Sequence, residues 1–596
     1  MSTQNLIITP QLAAILDAAR RPALSIRVDA LAGCGKTTAG IALCKVLAGR
    51  IFFGSFTNTI TREIEHRLSL SGITPGKVTT ATFNAMGYRA WKSFTRNNGL
   101  TPDADKCSNL LSEIIENGDR RLKIKVKAVR RKNILSLVSF AKQQCLGVGD
   151  KKELDSIPVW SELACRYGLD EELSGASVED LAEIAIQVFD ESLTRVRSSI
   201  DFDDQLFAPL FHLAPFPVFD AVITDEAQDQ AENRRLLAMR MVRPVTGRII
   251  AIGDQNQAIM RFAGADSDAM DRIELALSNK GMKSVRLPLS VTYRCAKTIV
   301  AAAQALVPDF TAHESVPEGE PVTHIQYKAR HDEQPYLNLN DLKPGMAVLC
   351  RNTRPLVELL YDLLEAGKPV KLEGSTPLQA FVSLVESMGA EDLVVLESKL
   401  INHAKEQTTK WQEKAPEKLQ RVTDKIDTIM SITKRVQRKG HESVSALLSE
   451  LRRVFESGQP SYGQPRTWDD RILLTTVHKA KGREWDTVYV LGANLFMPSK
   501  YAKRDEDLQQ EHNLVYVAIT RAKTKLIWID CRKEDFGAGV PLDDNGKSGE
   551  CADCGSTGHD TGSNTCPGPR DACGEAWGTL RRVGTPEDVE YGGDRR

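Results

Sequence analysis

A surplus of either charge is missing from this chain of 596 residues: 78 Lys and Arg face 79 Asp and Glu, a net charge of -1. No global basic field announces a polyanionic partner, so any such surface has to be local. Long apolar runs are missing as well. No stretch of about 18 apolar residues occurs, and the N-terminal MSTQNLIITPQLAAILDAAR lacks a basic segment leading into a long apolar core and a small-residue cleavage site. These absences argue against a helical membrane span and a secretory leader, and the expectation is a soluble intracellular protein. Crowded cysteine is absent until the tail. Eight of the twelve Cys (34, 44, 107, 145, 165, 295, 350 and 531) are scattered among apolar or helical segments, the pattern of reduced, buried thiols.

What is present is enough apolar sequence, 41% of the residues, for several cores, and about three to five domains or subdomains is the expectation at this length. The chain is organised around VDALAGCGKTT, residues 28 to 38. A short buried strand ends near Val28, Gly33 and Gly35 break it, and Lys36-Thr37-Thr38 opens the apolar helix IALCKVLA. Strand, glycine loop and helix N-terminus together turn the backbone N–H groups of Ala32, Gly33, Cys34 and Gly35 toward phosphate oxygens. Lys36 then reaches the β- and γ-phosphates of a nucleotide, and the Thr37 hydroxyl holds Mg²⁺, with Thr38 beside it. Ala30 stands where the usual spacing has a glycine.

The neighbouring segments repeat one pattern, an apolar strand ending in small polar residues before a helix. RIFFGSFTN ends in Ser55, Thr57 and Asn58, KVTTATFNAM in Thr82-Phe83-Asn84, and GRIIAIGDQNQAIM in Gly253 to Gln257. That is the signature of a parallel α/β sheet whose ligands gather at the strand C-termini. VFDAVITDEAQD reads as a strand of five or six residues ending in Asp225-Glu226. Asp225 is suited to positioning Mg²⁺ and Glu226 to taking the proton of an attacking water. Gln257 is suited to orienting the γ-phosphate, and Gln11, two residues into a helix capped by Thr9 and started by Pro10, offers an amide to an adenine edge. Phe262 is a candidate platform for a base, or a core residue.

Between about 91 and 200 the strand patterns give way to helical ones, including RRLKIKVKAVRRK at 120 to 132, with eight basic residues and no acid. Phosphate contact and a merely solvated face both remain open for it. Residues 345 to 374 read strand, helix, strand, 375 to 465 are helical again, and DRILLTTVHKAKG and KLIWIDC resume the sheet. Beyond 535 the composition changes: 13 of the 41 Gly lie in the last 61 residues, too little apolar sequence to bury a core. Cys551, Cys554, His559 and Cys566 have spacings resembling a zinc knuckle, with Cys573 as a substitute ligand. A glycine-rich tail with incidental cysteines is the alternative.

Taken together, TDEAQD, GDQNQAIMRFAGA, VTYRCAKTIVAAAQAL, TTVHKAKGREWDTVYVLG and HNLVYVAITRAKTKL resemble, in order, the motifs of UvrD/Rep-type superfamily 1 DNA helicases. Their wording is similar to the branch with F-box DNA helicases and phage-type relatives. The resemblance implies that Tyr293 stacks on adenine, that Arg294 and Arg521 contact the γ-phosphate across an interdomain cleft, and that Glu484 binds the ribose. It implies strand contacts for Thr57, Asn58, Thr82, Phe83, Phe262, Thr476 and His478. The chain departs from the family pattern at Thr38, Met260 and Phe262-Ala263, where the family often has Arg, Tyr and Trp-Arg.

The fold expected is α/β, with two RecA-like parallel-sheet P-loop domains (1–90 with 201–290; 291–374 with 466–535), mainly helical insertions at 91–200 and 375–465, and a Cys/His-containing tail at 536–596. The function expected from the resemblance is an ATP- and Mg²⁺-dependent helicase acting on single-stranded and tailed duplex DNA with 3′ to 5′ polarity. It would be monomeric, associated with the nucleoid or in a nucleus, with Zn²⁺ or a protein partner at the tail. The alternatives are a translocase that strips proteins without unwinding and a non-motor nucleotide-binding protein.

Overall fold

The computed structural model describes residues 8–535 apart from 75, 171–172, 174, 261–263, 265–267, 329–334, 374–375, 412–415, 457–469, 500–501, 503–504 and 533–534. The described residues form two compact units that divide after Tyr293, so Tyr293 belongs to the first and Arg294 to the second. The zinc-knuckle residues Cys551, Cys554, His559 and Cys566, and Phe262, lie outside the described residues.

The first unit opens with α1 (Pro10–Arg20), capped by the Thr9 hydroxyl accepting from the Leu12 N–H at 3.1 Å. Its strands are β1 (Ser25–Ala30), β2 (Ile51–Ser55), β3 (Val78–Thr82), β4 (Ala221–Thr224), β5 (Arg248–Gly253) and β6 (Ser284–Leu289). They pair in the order β3-β2-β4-β5-β1-β6, every pair parallel. β1, β2 and β4 are buried almost throughout, as a sheet covered on both faces requires, although β1 carries Ser25, Arg27 and Asp29. β4 is four residues, shorter than its apolar run suggests, because the chain turns at Asp225 and Glu226 takes a left-handed conformation (φ 50°). α2 (Lys36–Val46), α3 (Asn58–Leu70) and α4 (Phe83–Thr95) follow the first three strands.

The insertion is a bundle of α5 (Lys106–Asn117), α6 (Arg120–Val129), α7 (Arg131–Gln143), α8 (Ile157–Arg166) and α9 (Val178–Thr194). Ser177 and Asp180 start α9 with a reciprocal capping box. Leu111, Ile134, Leu137, Trp160, Leu181 and Phe189 form a core distinct from the one under the sheet, where Phe52, Val222, Leu237 and Met270 meet. The chain returns through α10 (Asp204–Phe211), then α11 (Glu232–Met241) and α12 (Ala269–Asn279). Buried charges fasten bundle to return helix: Lys106 Nζ lies 2.6 Å from Asp204 Oδ2, and Lys142 Nζ lies 2.6 Å from Asp201 Oδ2 and 2.8 Å from Asp204 Oδ1.

The second unit begins with α13 (Lys297–Gln304) and holds β7 (Thr323–Gln326), β8 (Ala347–Cys350), β9 (Val370–Leu372), β10 (Ile472–Thr476), β11 (Trp485–Leu491) and β12 (Ala522–Asp530). These pair in the order β9-β10-β8-β11-β12-β7, again all parallel. After α14 (Thr353–Glu365) the second helical segment comprises α15 (Thr376–Ser387), α16 (Leu393–Trp411), α17 (Pro416–Arg438) and α18 (Val444–Glu456). Its Leu396, Ile426 and Leu447 share one continuous core with Leu356 and Leu474 of the sheet layer. α19 (Val477–Ala480), α20 (Ala493–Phe496) and α21 (Asp505–Ile519) complete the unit. Among the scattered cysteines, Cys165 is exposed and Cys107 half-buried, a correction to the expectation that all eight are buried.

Candidate nucleotide site and strand-contact rim

Strand register lines up one edge of the first sheet. Ser55 lies opposite Thr82, Gly54 opposite Thr224, and Asp29 opposite Gly253, so the loops after β1, β2, β3, β4 and β5 share the rim at the strand C-termini. The loop after β1 is the phosphate loop. Gly33 (φ 68°) and Gly35 (φ 85°) both take left-handed backbone that a side chain would strain, and Gly35 is the N-cap of α2. Lys36 and Thr37 therefore begin a helix whose first N–H groups have no intrahelical partner, the arrangement that favours an anion.

The Lys36 ammonium has no hydrogen-bond or ion-pair partner among the described residues, yet it lies close enough to Asp225 and Asp254 to pull both carboxyls toward ionisation. Burial opposes it, raising both, and Glu226 raises them further; Asp225 is pushed up to about 7. The carboxylates are linked by amides. Gln228 Nε2 donates to Glu226 Oε2 at 2.6 Å, Gln228 Oε1 accepts from the Asp254 N–H at 3.0 Å, and Gln257 Nε2 donates to Asp254 Oδ2 at 2.6 Å. Lys36, Asp225, Glu226 and Gln257 thus belong to one charged cluster. Gln228 and Asp254 have no role from the sequence alone; Asp254 directly follows its strand, as Asp225 follows β4, and that shared position was the available signal.

Tyr293 sits over this loop, its N–H donating to Gly33 O at 3.2 Å, and burial, with a smaller contribution from Cys34, raises its phenol above the ordinary value. Gln11 is placed differently from expectation. Both ends of its amide are engaged by Ser290, Nε2 donating to Oγ at 2.9 Å and Oε1 accepting from the N–H at 2.9 Å, so in this structure it braces β6.

The rim beyond the cluster carries the strand-contact candidates. Thr57 and Thr82 are N-caps, accepting from the Ile60 N–H at 3.3 Å and the Ala85 N–H at 3.1 Å, and Asn58 is exposed beside Thr57. Phe83 is not on this surface: it is 2% exposed and packs edge-on against Phe52 in the core. The rim's exposed aromatics are ones the sequence reading missed. Phe56 is 40% exposed with the Arg234 guanidinium 4.8 Å from its ring centre, and Phe202 is 60% exposed with its carbonyl accepting from Asn84 Nδ2 at 3.0 Å. Phe202 stands between Asp201 and Asp203, in a turn held by the buried lysine pairs, and nothing in its local hydropathy sets it apart from a core residue.

In the second unit the corresponding positions are internally paired. Arg294 forms an ion pair with Glu484, which also meets Lys523 at 3.2 Å. Arg521 is 1% exposed, with Nε donating to Val517 O at 3.1 Å, Nη1 to Arg483 O at 2.9 Å and Nη2 to Thr520 Oγ1 at 3.2 Å. Thr476 is the N-cap of α19, which carries the half-buried His478. Among the described residues there is no cluster of His, Cys, Asp and Glu able to hold a metal by itself.

A glycine loop at a helix N-terminus, an open lysine, two buried carboxyls and a second parallel sheet define a P-loop nucleotide hydrolase built on two RecA-like domains. Comparison narrows this. Residues 13–276 match the UvrD/REP helicase N-terminal domain and residues 383–533 the UvrD-like helicase C-terminal domain. The chain is 21% identical to DNA helicase II of Escherichia coli over 86% of its own length and 83% of that protein's. It is 23% identical to the ATP-dependent DNA helicase PcrA of Leuconostoc citreum over 81% and 75%, respectively, and 24% identical to F-box DNA helicase protein 1 of Schizosaccharomyces pombe over 58% and 39%. The chain belongs to the UvrD/Rep-like superfamily 1 helicases. It is an ATP-dependent DNA helicase that uses ATP with Mg²⁺ and binds single-stranded and duplex DNA.

Proposed function

We propose that the phosphate-loop cluster of the first unit is the hydrolytic centre and that the rim from Phe56 to Phe202 holds single-stranded DNA. The observation that carries the first part is the unpartnered Lys36 beside Asp225, Glu226 and Asp254. A cation left without a counter-ion at a helix N-terminus, facing carboxyls whose ionisation burial disfavours, is a site suited to receive a polyanion together with a divalent cation. Those residues fit Mg²⁺ and triphosphate. Thr37 and Asp225 would hold the metal, which when bound offsets phosphate charge.

Lys36 and the N–H groups of Ala32 to Thr38 bind and orient the phosphates, Gln257 orients the terminal one, and Glu226 accepts the proton of the attacking water. Tyr293 offers its ring to the adenine. Thr57, Asn58 and Thr82 hold strand phosphates, while Phe56 and Phe202 stack on bases, a sequence-tolerant mode of grip. Roles for Arg294 and Arg521 at the γ-phosphate, for Glu484 at the ribose and for Thr476 and His478 on the strand follow the family resemblance, as do 3′ to 5′ polarity, a monomeric state and a nucleoid or nuclear setting. The tail is proposed as a zinc-binding or partner-binding segment.

The test is ATPase activity with and without single-stranded DNA, beside strand displacement on duplexes tailed at either end, for the wild type and Glu226→Gln. Turnover should fall by about 10²–10⁴-fold while nucleotide binding is kept. A variant that still hydrolyses ATP at the wild-type rate removes Glu226 from the role of base.

A further inference from the structure

We propose that Arg234, on α11, is a positioning residue for base stacking: its guanidinium holds the Phe56 ring upright at the strand rim, and it acts through that ring and not through a phosphate. The proposal rests on the reading of the rim as the strand site and says what keeps one of its exposed aromatics in place.

Phe56 alone separates the end of β2 from the Thr57 cap of α3. The backbone on either side is pinned. Ser55 Oγ lies 3.3 Å from Thr57 O and 2.5 Å from Thr61 Oγ1, and the Thr57 hydroxyl accepts from the Ile60 N–H at 3.3 Å. The main chain therefore delivers the side chain to the rim, but nothing in it sets the angle of the ring. A phenylalanine 40% exposed gains by folding flat to bury its open face. Among the described residues no other aromatic ring meets it. The group that lies over it is the Arg234 guanidinium, 4.8 Å from the ring centre.

Arg234 and Arg235 are neighbours with different fates. Arg235 is well partnered, its Nε donating to Glu232 Oε2 at 3.1 Å and its Nη1 to Gln230 O at 3.1 Å. Arg234 has no side-chain hydrogen bond or ion pair among the described residues. It is half-buried and third in its helix, near the positive end of the dipole, and the acid of that first turn, Glu232, is already taken by Arg235. Burial pulls its pKa below the ordinary arginine value, and the nearby charges of Asp203 and Asp229 only partly restore it. A cation so placed is stabilised by the ring it covers, and that attraction strengthens as water is removed. The flat guanidinium fits one face of the ring. The other face is left for a base.

The consequence is pre-organisation. A ring already fixed in the stacking pose gives up little freedom when a base arrives, whereas a collapsed ring must first be lifted off the surface. The effect of Arg234 should therefore follow the bases of the strand and be blind to its phosphates.

The experiment uses the full chain as wild type, Phe56→Ala, Arg234→Ala, Arg234→Lys and the double variant Phe56→Ala/Arg234→Ala. Each is titrated across salt concentrations with oligo-dT and with an abasic oligonucleotide of the same length, and melting temperatures are recorded. Phe56→Ala should bind oligo-dT about tenfold more weakly and Arg234→Ala about fivefold. The double variant should stay within about twofold of Phe56→Ala, because one loss acts through the other. Arg234→Lys, which keeps a cation on the ring, should recover most of the affinity. On the abasic strand every variant should match the wild type, and the slope of log affinity against log salt should not change. An equal loss on the abasic strand overturns the proposal, as do additive losses in the double variant or a slope shallower by about 0.7, the mark of one lost single-strand phosphate contact. Wild-type affinity in Arg234→Ala beside a loss in Phe56→Ala removes the proposal alone; wild-type affinity in Phe56→Ala removes the rim reading and the proposal with it. Should Arg234→Ala fail to fold, Arg234→Gln, of similar length and uncharged, replaces it under the same criteria.

Discussion

Each of the two sheets is built of six parallel strands, and they differ in what their C-terminal rims do with charge. In the first, Lys36 is unpartnered and Asp225 and Asp254 are held away from ionisation by burial. In the second, Arg351 meets Glu511 at 2.9 Å, Arg483 meets Glu373 at 2.6 Å, Arg294 meets Glu484, and Arg521 is saturated by oxygens of its own unit. An unbalanced rim is built to receive charge from outside. A balanced one holds its own shape, and any ligand it meets must compete with bonds already made. The comparison separates residues whose loss empties a site from residues whose loss loosens a fold.

The largest effect should come from Lys36→Ala. With no protein partner to strand, this change should lower ATP turnover by about 10³-fold while leaving folding stability within about 1 kcal/mol, as read by steady-state kinetics and chemical denaturation. Arg521→Ala should give the opposite balance. It strands two carbonyls and a hydroxyl in a buried position, so a loss of about 3 kcal/mol in stability is expected beside any kinetic defect. If Arg521→Ala melts like the wild type, the balanced reading of the second rim is wrong.

A smaller effect sharpens the contrast within the first unit. Burial and the Asp201 charge push Asp203 up to about 6, against hydrogen bonds from Ser139 and Gln143. A carboxyl whose folded pKa is raised favours the folded state fully below its unfolded value, about 4, and loses that contribution as pH rises through about 6. Stability should therefore decline between those pH values by about 2 kcal/mol, and Asp203→Asn should flatten the decline. An unchanged profile in the variant would assign the titration elsewhere.

Much of the nucleotide site was legible because phosphate chemistry ties residue type to spacing. Gly33, Gly35 and Lys36 announce the loop, and an apolar run that stops at Asp225-Glu226 marks the two carboxyls proposed here as metal holder and base. Part of the sheet was legible too, since buried parallel strands such as β2, β4 and β5 read as mostly apolar runs. Side-chain direction was not. Phe83 and Phe56 both adjoin a rim threonine, yet one is core and the other exposed, a matter of which way the chain leaves the strand. Gln11 looked available until Ser290, 279 residues away, closed on both ends of its amide. Lys106 and Lys142 read as ordinary helix-surface lysines, because nothing local reveals that Asp201 and Asp204 return to meet them.

The left-handed turn at Glu226 sets the terms on which this position can drift. Glycine would relax the backbone there, since the conformation costs an ordinary residue about 1–2 kcal/mol, but glycine has no carboxylate to offer a water molecule. A change that makes the chain sturdier at this residue would therefore remove the carboxylate proposed as the base, setting durability against turnover at a single position.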